Sequence, residues 1–173
     1  MNASLAPLIR KTGLRYGIML GVASSVLFLT FAWLKISSNW MLMLPELAFA
    51  IALTYLAHLY FKENNNGTMT FGQGVTISFW MGLSSGILAP LVTYVYSKFI
   101  NTTYMLDAAR VEMGKKGLGL PDDQIDTVLN ALAVFMSPEV TFFLGILSYI
   151  ISAVIVGLVV SLFTKKNPDA ATF

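Results

Sequence analysis

The run Val140-Thr-Phe-Phe-Leu-Gly-Ile-Leu-Ser-Tyr-Ile-Ile-Ser-Ala-Val-Ile-Val-Gly-Leu-Val-Val-Ser-Leu-Phe163 carries no charge and stops at Lys165-Lys166. About 20 helical residues cross the hydrocarbon of a bilayer, so this run reads as a membrane span. Three further runs upstream have the same character. One extends from about Val75 to Tyr96 and is also free of charge. Another extends from Trp40 to Phe61 and is closed by Lys62 and Glu63. The first extends from Tyr16 to Leu34, between Arg15 and Lys35. The expected fold class is therefore an all-α membrane protein with four transmembrane helices, at about 16–34, 40–61, 75–96 and 140–163.

Composition agrees. Of 173 residues, 56% are hydrophobic and only 12% charged, roughly half the charge of an ordinary soluble domain. Mean hydropathy is +0.71. A soluble fold could not cover so apolar a chain with polar surface. The absence of cysteine excludes disulfides, thiolate metal sites and cysteine nucleophiles. A net charge of +2 gives no ground for a nucleic-acid partner, and no cofactor motif is present.

Connections follow from local signals. Asn64-Asn65-Asn66-Gly67 is a turn, and Thr70 with Gln73 has capping-box spacing, which starts the third helix near Phe71. Pro90 lies inside that helix and is the candidate kink. The long connection at about 97–139 reads as an extracytoplasmic helical hairpin between helices 3 and 4. Its first helix runs from Thr103 to Lys116, with Gly117 and Gly119 as the break. Its second is an amphipathic helix after Pro121, with Ile125, Val128, Leu129 and Leu132 on one face. Ser137-Pro138 caps the last span.

Charge sets the expected orientation. With both termini in the cytoplasm, the cytoplasmic flanks hold Arg10, Lys11, Arg15, Lys62, Lys165 and Lys166 against Glu63 and Asp169. The long loop then holds Arg110, Lys115 and Lys116 against six acidic residues, as the positive-inside rule asks.

Small residues recur at every fourth position. Gly13, Gly17, Gly21 and Ser25 mark the first span, Gly74, Ser78, Gly82 and Gly86 the third, and Ala153, Gly157 and Ser161 the fourth. In lipid, such glycine-zipper stripes let helix backbones approach closely. They serve packing within the bundle, or one is left over for a homo-oligomer or a partner's helix.

Glu46 and His58 are the candidate intramembrane polar residues. For Glu46 the plain expectation is a first-turn acid facing its helix dipole, and the sharper one an ion or substrate role. For His58 the plain expectation is interfacial anchoring, since a lone histidine assembles no metal site. The intramembrane serines and threonines lack a convergent base, so no catalytic residue is expected.

These features together resemble the four-span membrane proteins of domain-of-unknown-function family 4199, found mostly in Bacteroidetes. The resemblance rests on Arg15-Tyr16-Gly17 with Gly21, on Asn66 to Gly74 leading into the third span, and on Tyr94 to Ile100 followed by the hairpin and Ser137-Pro138. Thr70 and Gln73 depart from the serine and acid usual in that family's second motif. The resemblance implies a bacterial inner membrane and no assigned activity. The expected role is a non-enzymatic accessory or scaffold subunit, with a small oligomeric transporter or channel as the alternative.

Overall fold

The computed structural model describes residues 5–35, 39–115 and 122–167. Its long elements are all helices: α1 (Ala6–Trp33), α2 (Asn39–Glu63), α3 (Phe71–Val95), α4 (Tyr104–Lys115), α5 (Asp122–Leu132) and α6 (Pro138–Thr164). Four of these, α1, α2, α3 with its extension to Ile100, and α6, are long and apolar enough to cross a membrane. The all-α, four-span fold class holds, with α4 and α5 forming the helical pair between α3 and α6. The expected breakers Gly117, Gly119 and Pro121 lie outside the described residues.

Helix boundaries follow local chemistry. The Thr70 side chain accepts from the Gln73 amide, and Gln73 Oε1 accepts from the Thr70 amide at 2.8 Å. Together they make a complete capping box. Ser137 caps α6 through its side chain, with Pro138 in the first turn. α1 begins ten residues before the expected span, because Pro7 is tolerated in a first helical turn and nothing breaks the chain between Arg10 and Tyr16. At its far end α3 passes into a π-helical turn, Tyr96–Ile100, closed by the Asn101 amide donating to the Tyr96 carbonyl at 2.9 Å. Such turns occur mostly as short interruptions of this kind.

α3 is the axis of the bundle, with α1 on one side and α6 on the other. Small residues set both contacts. α1 lies parallel to α3, with Gly13 against Ile77 and Trp80, Gly17 against Met81 and Ser84, and Gly21 against Ser85 and Leu88. α6 lies antiparallel, in a register whose pairs are Gly74 with Ser161, Ser78 with Gly157, Gly82 with Ala153, and Gly86 with Tyr149. A Cβ placed on Gly17 would sit 2.7 Å from Met81 Cα, and one on Gly82 2.9 Å from Ile150 Cα. The backbones touch, as small residues in lipid allow. Pro90 ends this register by resting its ring on Gly145.

The stripes on all three helices thus face one another inside the chain. Ser25 is the exception. Its hydroxyl donates to the Gly21 carbonyl of its own helix at 2.7 Å, while Ser24 takes the buried position. A strict i+4 row drifts about 40° per step around a 3.6-residue helix, so its last member leaves the face where the partner helix does not follow, as at Ser25, and stays where it does, as at Gly86.

α2 closes the bundle against α1 and α6. The best-packed cluster, Ile9, Ala57, Phe61, Met69, Ile77 and Met81, lies at the end where α1 and α3 begin and α2 and α6 finish. There the α2–α3 loop pairs with the chain after α6: Met69 and Lys166 exchange two backbone hydrogen bonds of 2.8 Å. At the opposite end Phe28, Tyr96 and Tyr104 meet edge to face with centroids 5.4 to 5.5 Å apart. This favoured ring geometry fastens α4 to α1 and to the π-helical turn. Burial, with Tyr96 alongside, raises the Tyr104 phenol above its ordinary value.

Candidate functional site

Among the described residues, two polar ties reach from α2 across the interior of the bundle. The first is built on His58, which is fully buried. Its Nδ1 lies 2.8 Å from the Thr164 hydroxyl of α6, and its Nε2 lies 3.1 Å from the Gly74 carbonyl of α3. A carbonyl only accepts, so Nε2 carries a proton and donates. The Thr164 hydroxyl also lies 2.8 Å from the Val160 carbonyl. Its single proton serves either that carbonyl or Nδ1.

Gly74 makes this junction possible. A Cβ there would meet Ser161 and stand 3.2 Å from His58 Cε1. Its carbonyl also accepts from the Ser78 hydroxyl at 3.2 Å. One helical turn beyond His58, Lys62 Nζ donates to the Thr164 carbonyl at 3.2 Å. That bond fills one of the acceptors that end α6. His58 is therefore an interior junction of α2, α3 and α6 and not an interfacial anchor. With the Thr164 proton turned to Nδ1, both ring nitrogens are satisfied and the ring is at no disadvantage away from water.

The second tie joins Glu46 to α6, where the Tyr149 phenol donates to Glu46 Oε1. Glu46 is half-buried. It does not occupy a first turn: α2 begins at Asn39, and no acidic residue lies in its opening turn. The helix dipole is weak two turns in, and the phenol supplies the donor instead. Glu46 and His58 are twelve positions apart on one helix, about 18 Å along its axis.

Several other interior hydroxyls turn to their own helices. Ser85 donates to the Met81 carbonyl at 2.8 Å and Thr93 to the Ala89 carbonyl at 3.3 Å. Among the described residues no group of three or more His, Asp or Glu side chains converges as a metal site would require. Trp80 packs half-buried beside Gly13, with the Arg10 guanidinium 5.7 Å from its ring centre. A cation at that distance is attracted by the face of the ring. Sequence reading singles out neither Thr164 nor Tyr149, because each is linked to its α2 partner across more than a hundred residues.

Four long helices with apolar outward faces and polar ties inside define an integral, multi-pass membrane protein. Residues 15–166 match the family model described as Protein of unknown function (DUF4199), and the chain belongs to that family. Comparison with curated proteins and with solved structures gave no match.

Proposed function

We propose that this chain is a non-enzymatic accessory or scaffold subunit of the bacterial inner membrane, with both termini in the cytoplasm. The observation that carries this reading is that the two candidate intramembrane residues, Glu46 and His58, are committed to separate inter-helix ties. Glu46 is held by Tyr149, and His58 by Thr164 and Gly74. A proton relay or an acid–base pair needs such groups to converge on one space. Here they brace the bundle.

With the small-residue stripes occupied inside the chain, a partner's contact falls to the periplasmic pair α4–α5. That pair exposes Leu106, Val111 and Val128. Orientation follows the basic residues at the end shared by the α1 start and the α6 finish. Affinity purification in mild detergent after cross-linking in intact cells tests the role. A stoichiometric membrane partner, lost when Val111→Asp and Val128→Asp are combined, is the expected outcome. A solitary monomer under all such conditions contradicts it.

One observation favours the second reading, a small transporter or channel. A gap of about 120 Å³ opens beside Pro90, Gly145 and Tyr149, next to the Glu46 tie. It has room for water but falls short of the volume of about 300 Å³ at which ordinary small-molecule pockets begin. Substrate-dependent flux in liposomes, abolished by Glu46→Gln, would reverse the order of the two readings.

A further inference from the structure

The groove between the first turns of α1 and the start of α3 has a chemistry that the inter-helix ties do not use. It has a volume of about 780 Å³ and is lined by Pro7, Arg10, Lys11, Leu14, Thr76 and Trp80. That is the size of a small-molecule site. Arg10 and Lys11 are exposed at its mouth. Among the described residues no carboxylate lies within ion-pair distance of either. Leu14 and Trp80 make its deeper wall apolar, and Arg10 lies over the indole face.

Depth decides what such a groove meets. The helix α1 has 28 residues. At about 1.5 Å per residue it extends about 42 Å, against roughly 30 Å of hydrocarbon. Trp33 is 81% exposed. It marks the far interface, where tryptophan rings settle. About 20 residues back from it, the length that spans the hydrocarbon, the apolar layer ends near Leu14. Arg10 and Lys11 then stand one turn further out, among the headgroups, while Leu14 and Trp80 stand at the top of the acyl chains.

We propose that this groove binds one anionic glycerophospholipid, its phosphate between Arg10 and Lys11 and its first acyl segments along Leu14 and Trp80. Charge complementarity selects the headgroup, because two cations without a carboxylate partner at headgroup depth favour a phosphodiester bearing net negative charge over a zwitterion. The apolar wall at acyl depth favours a lipid over a soluble phosphate, since only a lipid sets a phosphate on the cations and its own hydrocarbon on Leu14 and Trp80 in one molecule. The site needs only that the chain sits in a bilayer, and is independent of any subunit role.

The test reads Trp80. The chain has three tryptophans, so Trp33→Phe with Trp40→Phe leaves Trp80 as the single reporter. In phosphatidylcholine vesicles, brominated phosphatidylglycerol should quench it more strongly than brominated phosphatidylcholine at equal mole fraction. The expected relative affinity is on the order of tenfold. Arg10→Gln with Lys11→Gln should bring that ratio to about one, while Lys165→Gln with Lys166→Gln should leave it unchanged. Equal quenching in the reporter protein overturns the proposal without any change in the groove. So does a preference that survives loss of Arg10 and Lys11 with helicity intact, or one lost equally with Lys165 and Lys166. Relief of quenching by soluble glycerol phosphate would overturn it too, assigning the groove to free phosphates instead.

Discussion

His58 Nδ1 and the Thr164 hydroxyl, 106 residues apart in sequence, lie 2.8 Å apart in the buried end of the bundle. With Nε2 on the Gly74 carbonyl, one side chain of α2 holds both α3 and α6. His58→Ala should therefore remove two inter-helix hydrogen bonds and open a cavity. The expected loss is about 2 to 4 kcal/mol in a mixed-micelle unfolding titration. His58→Gln, which keeps an amide donor, should lose less. Equal stability of His58→Ala and the parent would refute the junction.

Close approach at the glycines gives a sharper contrast. Gly17→Ala drives a methyl group into the Met81 backbone. It should cost about 1 to 3 kcal/mol. Gly72→Ala faces open space, and Ser25→Ala loses only a bond to its own helix. Both should stay within about 0.5 kcal/mol of the parent. The same titration measures all three.

A double-substitution cycle isolates the other tie, between the Tyr149 phenol and Glu46. Glu46→Gln, Tyr149→Phe and their combination should reveal a coupling of about 0.5 to 1.5 kcal/mol. Additive effects would show that the carboxylate and the phenol do not depend on each other.

How much of this is legible in the sequence follows the range of each interaction. The start of α3 at Phe71 and the cap at Ser137 are readable because a capping signal is written within four residues. Spacing reveals the stripes, but does not say that Gly82 meets Ala153 or that Ser25 rotates off its face. Glu46 reads as a first-turn acid and His58 as an interfacial anchor because Tyr149 and Thr164 reach them only once the bundle closes. The π-helical turn at Tyr96–Ile100 carries no local signal such as glycine or proline. The Arg10–Trp80 groove is likewise a product of the α1–α3 register.

Orientation is open to a clean labelling experiment, because the chain has no cysteine. Asn130→Cys, on the exposed face of α5, should react with an impermeant maleimide in intact spheroplasts. Glu63→Cys, exposed at the end of α2, should react only after permeabilisation. The reverse pattern would invert the topology.

The central claim is that α3 is the axis on which α1 and α6 close through their small residues within one chain. Cross-linking in native membranes with a short bifunctional thiol reagent, of Arg10→Cys with Trp80→Cys across α1 and α3 and of Tyr94→Cys with Phe142→Cys across α3 and α6, tests it most directly without filling a glycine contact. The account predicts that both pairs join within single chains and leave monomers on a non-reducing gel. Dimers formed in place of internal links, or no link at either pair, would contradict it.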